Sequence, residues 1–402
     1  MPTLSNYNSF NGRHWETGSV HNHYAARGVV APHTGKPYSE AFFLGISGGI
    51  VMGYFVFNYE GFDPHARILT RNTFDPMDTM LERLGIIQDL QHTAKAENAK
   101  RNLIDSLEDG VAPIVWADVF SLPYNAISVG LDDFWLMYPI VVYGYDETAD
   151  IVHIADRASV PVTTTTAELA QARGKVKKVK HRLLNLDPPN PDKLASAVQM
   201  SIWACIKLYI EKPPKGAKNN FGFAAYKNWA NMLVKKKGRR TWAADFPAGS
   251  ALYTGLSDSF YYTNCFGQVG AADRENYASF LDEAAVLLDR PALKEVSQKF
   301  RASAKAWEAV NLALLPDEVE PLRQTRELML EQRGLFVSGG QATLAERRAI
   351  AKQLDELKRR VSADFPLDEA GVQQLKEKLA DKVMAIHDIE YEAIMMLQEA
   401  MG

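Results

Sequence analysis

Cysteine is nearly missing: Cys205 and Cys265 are the only two in 402 residues. Two cannot build a disulfide framework or a four-ligand zinc cluster, and they fit a reducing compartment or indifference to redox. A surplus of charge is also missing. The 45 lysines and arginines against 49 aspartates and glutamates leave a net charge of −4. A chain so close to neutral is not built around phosphate neutralisation, so no nucleic-acid partner is expected. The start of the chain lacks a basic stretch followed by an apolar run, so no secretory signal is expected. The longest apolar stretch, 41–57, is broken by Gly45, Gly48, Gly49 and Gly53. It falls short of the roughly 20 residues of a membrane span. The expectation is a soluble, cytoplasmic protein without a membrane partner.

Apolar residues make up 47% and charged residues 23%, which excludes wholesale disorder. The length suits two or three domains. Short helices are expected at 14–28 and from Ser39, which caps SEAFFLGISGG with Glu40 in the first turn. Apolar spacing extends a helix over 76–90, and another is expected over 96–108. Runs 113–116, 139–143 and 151–154 have strand length, and the last two, joined by GYDETAD, read as an antiparallel hairpin. Threonines open a helix at 164–172. The run RGKVKKVKHR (173–182) carries six lysines and arginines and no acid; it reads as a solvated face or a strand leading onward. Proline-rich LDPPNPDK marks a break, after which helices dominate, at 193–210, 221–234, 276–289 and from Pro291. A loop, VSGGQAT, precedes two charged amphipathic helices at 344–361 and 368–400. The expected domains are 1–188, 189–337 and a helical extension, 338–402.

Five of nine histidines fall in the first 65 residues. On a helix, His21 and His23 point about 200° apart, unlike a ligand pair, so no metal site is expected. GISGGIVMG lacks the Gly-Lys-Ser/Thr end of a phosphate loop, and close packing or a tight turn is its expected use. Cys205 reads as a buried thiol and Cys265 as a loop cysteine with nothing nearby to activate it. The hairpin ending at Asp156 is the better candidate, since such a geometry can hold a base and its orienting carboxylate.

RHWETGSVHN, GKPYSEAFFLGISGGIVMGYF, IVWADVFSLPY, IVVYGYDE and IADR together resemble the N-terminal domain of butirosin biosynthesis protein H. NFGFAAYKNWANML and ENYASFLDEAAVLLDRPAL resemble the helical domain of unknown function that commonly follows it. The resemblance implies an α+β, papain-like cysteine-peptidase-type domain with a central antiparallel sheet, then a mostly helical domain. It implies acyl or aminoacyl transfer from a carrier-protein thioester to an amine, and no cofactor. The family mechanism implies a helix-start cysteine, a strand-opening histidine and a following aspartate. Here those positions are Trp15, Tyr138 and Asp156, so only the aspartate is kept.

Two readings follow. In the first, Glu16 or His14 is a general base for direct transfer, with Tyr138 and Asp156 completing the catalytic set. Trp15, Thr17, Ser19, Asp118 and Tyr143 then line the substrate cleft. In the second, the site is a degenerate triad, the protein is a pseudoenzyme, and the cleft binds a small ligand or partner protein. Each residue also has a plain structural role open to it: Trp15 as a plug, Glu16 as a first-turn acid, Asp156 as a partner of Arg157. A small-molecule substrate and an acyl carrier protein are the candidate partners, and the last two helices could form a homo-oligomer.

Overall fold

A computed structural model describes residues 2–126, 135–211, 213, 218–267 and 271–402. The chain opens with α1 (Trp15–Ala26), the ribbon β1 (Val30–Ala31) and β2 (Lys36–Pro37), and α2 (Glu40–Ile46). The hairpin β3 (Ile50–Phe57) and β4 (His65–Arg71) follows, then α3 (Pro76–Arg83), β5 (Gln88–Gln91) and α4 (Ala96–Glu108). Next come β6 (Ile114–Asp118), β7 (Met137–Asp146), β8 (Ile151–Ala155), β9 (Val162–Thr164), α5 (Thr166–Gly174) and β10 (Leu183–Leu186). Helices make up the rest: α6 (Leu194–Ile210), α7 (Gly222–Val234), α8 (Trp242–Asp245), α9 (Ser250–Asn264) and α10 (Arg274–Leu287). They end with α11 (Ala292–Leu314), α12 (Glu320–Gly339), α13 (Leu344–Ala363) and α14 (Glu369–Met401). The class is α+β. No helix among the described residues is long and apolar enough to cross a membrane.

Chain order and compactness do not coincide. One compact unit comprises Met1–Phe43, Leu81–Lys193 and Gln332–Ala349; the other comprises Leu44–Met80, Leu194–Glu331 and Ile350–Gly402.

The first unit holds a six-stranded sheet in the order β5-β10-β6-β7-β8-β9. Every pairing is antiparallel. The β-branched runs of β6 and β7 place Val115, Ile140 and Val142 in a core shared with Val152, Ile154 and Leu183. The expected 139–143/151–154 hairpin is present, with Val141 opposite Ala155. Thr165 and Glu168 close a capping box that starts α5. The helix expected over 76–90 is too long. Gly85, at φ 59°, ends α3, and Ile86 N–H turns back to the Leu81 carbonyl. Residues 88–91 then pair with β10 as an edge strand. Apolar spacing extended the helix; the glycine stop and a partner strand nearly a hundred residues away ended it.

Helix α1 lies on β7, with Ser19 Oγ donating to the Pro139 carbonyl at 3.0 Å. His23, on the same helix, is fully buried. Its Nδ1 meets the Ala112 carbonyl at 2.9 Å, and its Nε2 faces Arg27 Nη1 at 3.1 Å. A neutral ring satisfies both, donating to the first and accepting from the second. Burial pushes its pKa down to about 4, against its backbone bonds and with help from the Arg27 cation. The unfolded ring binds its proton near pH 6.5, so its contribution is complete above that pH and shrinks as pH falls toward 4. The loss reaches roughly 3 kcal/mol. Urea midpoints taken at intervals between pH 7 and 4 should fall accordingly, and His23→Asn should flatten the slope. An unchanged slope in the variant would clear His23 of the effect.

In the second unit, β3 and β4 pair antiparallel from Tyr54 opposite Ile68 to Phe57 opposite His65. The glycine-rich run before them serves packing and turning. A Cβ on Gly45 would sit 2.1 Å from the Phe280 ring, and Gly48 and Gly49 have φ of 104° and 72°. Strand β3 itself was not legible, because a continuous apolar run carries no period. The VSGGQAT loop starts later than expected, since α12 runs on to Gly339. Trp229, Trp242 and Trp307 are fully buried here.

Candidate functional site

The first unit gathers the positions singled out at its N-terminus and hairpin. Trp15 is the first residue of α1 and is only 3% exposed. Its indole stacks on the Tyr138 ring, with centroids 4.5 Å apart and planes 11° from parallel. The Arg157 guanidinium carbon lies 3.9 Å from the indole centroid. Two groups that close cannot share one face, so the indole is sandwiched. The stack goes on: Arg157 also covers Phe336 at 4.8 Å, and Arg347 covers Phe336 at 5.0 Å. Aromatic and cationic groups thus alternate from Trp15 to Arg347. Desolvated contacts of this kind contribute up to about 2 kcal/mol each.

Asp156 follows β8 and is buried. One oxygen accepts from the Tyr124 hydroxyl at 3.1 Å. The other accepts from Arg157 N–H at 2.8 Å and Arg157 Nε at 3.2 Å. Arg157 Nη2 donates onward to Asn125 Oδ1 at 2.6 Å. The carboxylate therefore holds the guanidinium against Trp15. Burial and the Asp156 charge raise the Tyr124 phenol well above its ordinary range. Burial and the Arg157 cation pull Arg347 down to about 10.

The start of α1 is occupied from within the chain. Glu40 Oε1 accepts from His14 N–H and Thr17 Oγ, each at 2.9 Å, and Oε2 accepts from Arg13 N–H at 2.6 Å. This is the electropositive end of a helix, where a carboxylate is stabilised. His14 caps the helix, its Nδ1 accepting from Glu16 N–H at 3.3 Å. Glu16 stands in the first turn, and both side chains are half-buried.

Asp118 and Tyr143 are held elsewhere. Asp118 caps the turn after β6, accepting from Ser121 N–H at 3.1 Å, Ser121 Oγ at 2.6 Å and Leu136 N–H at 2.7 Å. Tyr143 stacks on Tyr7 at 4.5 Å and meets Phe10 edge-on, and burial raises its phenol pKa. Ser19 bonds β7 as described. So Trp15, Tyr138 and Asp156 form one site, with His14, Glu16 and Thr17 at its helix edge.

Sequence reasoning missed Glu40, Phe336 and Arg347. In sequence Glu40 has the place of a first-turn acid of its own helix, and Phe336 and Arg347 lie some 180 residues beyond Arg157. The metal candidates are dispersed as well. His21 Nδ1 bonds the Tyr38 carbonyl at 2.7 Å, and His23 is buried among carbonyls. Among the described residues no group of three histidine, cysteine or acidic side chains is placed to hold a metal.

A helix start set against an antiparallel strand, with an aspartate closing the next strand, marks the candidate site of an α+β domain. Residues 14–157 match the family model for butirosin biosynthesis protein H, N-terminal, and residues 167–332 match a domain of unknown function (DUF4872). The chain belongs to the butirosin biosynthesis protein H family. The first match begins at His14 and ends at Arg157, two residues of this site. No curated protein matches the chain.

Proposed function

We propose that the chain works in natural-product biosynthesis of the butirosin type as a non-covalent binding member of its family, on a papain-like domain whose nucleophile position is closed. The observation that carries this reading is the buried indole of Trp15, held between Tyr138 and Arg157. An acyl-enzyme needs a thiolate there and a base beside it. An indole and a phenol supply neither. The order of helix start, β7 and Asp156 supports the papain-like reading, because it repeats the order of nucleophile, base and orienting carboxylate that the resemblance implies. The ligand is then a small molecule, free or presented by an acyl carrier protein.

A second reading is direct transfer with Glu16 or His14 as the base, favoured by their half-exposed place at the start of α1. Intact mass and turnover with acyl- and aminoacyl-pantetheine thioesters plus amine acceptors separate the two. The expected result is no adduct and no turnover from the wild type. A Trp15→Cys/Tyr138→His double variant should gain a thioester adduct. Wild-type turnover lost in Glu16→Ala would overturn the binding reading and establish direct transfer. A wild-type adduct would overturn both.

A further inference from the structure

The second unit carries a cleft of about 320 Å³ where the end of α6, the start of α7 and the C-terminal part of α14 meet. That is the size of a small-molecule site. Gly222 lets the first two helices approach: its φ is 59°, and a Cβ there would sit 2.5 Å from the Tyr209 carbonyl oxygen. Four rings line the cleft, those of Tyr209, Phe221, Phe223 and Tyr391. Phe223 lies 5.2 Å from both Tyr209 and Tyr391, with planes tilted by 58° and 54°. Rings so tilted make a bent wall and not a stack. Two of the four are anchored from behind. The Tyr209 hydroxyl donates to Glu390 at 2.7 Å inside the core, so its ring is what it offers the cleft. Phe221 packs on Phe55 and Phe74 at 5.4 and 5.2 Å.

The rim is wet and apolar. Tyr391 is 51% exposed and Ile210 47%. Exposed apolar groups beside a concave aromatic wall mark a binding site. Its charge has one sign: among the described lining residues Glu211, exposed at the rim, is the one with a formal charge. Ring faces and a carboxylate both attract a cation. A primary ammonium brings three N–H donors that need acceptors, and ring faces supply none. A quaternary ammonium has no donors to satisfy, so exchanging its water for ring faces costs it less.

We infer that this cleft binds a quaternary ammonium group, with Tyr209, Phe223 and Tyr391 as its aromatic wall and Glu211 as its counter-charge. Tyr391 lies beyond the residues that either family model matches. The inference does not rest on the reading of the Trp15 site. Calorimetric titration of the whole protein with choline chloride tests it, against sodium chloride at equal ionic strength and against dimethylbutanol, the uncharged carbon isostere of choline. The expected result is saturable choline binding, with the isostere at least about tenfold weaker. Tyr391→Leu keeps apolar bulk and removes the ring, and should weaken choline about tenfold; Tyr391→Phe should bind as the wild type does. Glu211→Gln should weaken it severalfold. Both residues are exposed, so these variants should fold normally. A choline response no greater than that to sodium chloride overturns the site. Equal binding of dimethylbutanol means a plain apolar cleft and overturns the cation. Choline binding that Tyr391→Leu or Glu211→Gln leaves unchanged lies elsewhere and overturns it as well.

Discussion

Glu390→Ala is expected to cost about 3–5 kcal/mol, because it strands a fully buried cation. The expected fall in Tm is roughly 6–20 °C for a unit of this size. Glu390 on α14 accepts from Arg274 Nε at 2.8 Å, Ser303 Oγ at 2.6 Å and Trp307 Nε1 at 3.3 Å with one oxygen. The other accepts from the hydroxyls of Tyr209 at 2.7 Å and Tyr226 at 2.6 Å. Arg274 also donates from Nη2 to Glu390 Oε2 at 3.2 Å, and from its Nη atoms to the carbonyls of Thr70, Ala272 and Val51. Both members of the pair have no solvent exposure. Burial alone would raise the Glu390 pKa, but the Arg274 charge and the converging donors outweigh it and hold it below the usual carboxylate range. Alanine therefore removes the counter-charge and an acceptor shared by five side chains on α6, α7, α10 and α11. The double variant Glu390→Leu/Arg274→Met should recover much of the loss, since an apolar pair needs no desolvation of charge. Calorimetry on both variants decides the matter. A single variant within about 1 kcal/mol of wild type would show that the pair is not sealed from water.

Trp15→Ala should cost about 3–5 kcal/mol, the usual loss for a buried aromatic side chain plus the cavity it leaves. The indole has Tyr138 on one face and Arg157 on the other, so the variant also loses a stack and a cation–π contact. Free indole should bind the vacated space and return part of the lost Tm, as apolar ligands do in engineered cavities. A loss near zero without an indole response would mean that Trp15 does not fill the site. The binding reading would then lose its main support. This experiment uses no thioester, so it tests the plug apart from any chemistry.

What could be read from residues alone followed the range of the forces involved. Helix starts were legible where a cap lies within three residues of what it caps. Ser39 Oγ accepts from Phe42 N–H at 2.9 Å, and Thr165 pairs with Glu168. The hairpin of β7 and β8 was legible because its turn is local. The stacking of Trp15 on Tyr138 was not legible, since the two lie 123 positions apart. The end of α3 was misread because its apolar spacing continued past Gly85, where a left-handed backbone stops the helix. Strand β3 was missed because an unbroken apolar run suits a buried strand and a buried helix alike.

The amino-acid order by itself determined the class and the family, because each rests on residue identity or on contacts a few positions long. Only the tertiary structure decided what surrounds Trp15 and the start of α1. Arg157, Phe336 and Arg347 complete the stack, Glu40 occupies the helix start, and Glu390 meets Arg274 across 116 residues of chain. Such partners cannot be read in advance, because burial makes them: a charge or ring gains a specific partner only once water is excluded from around it.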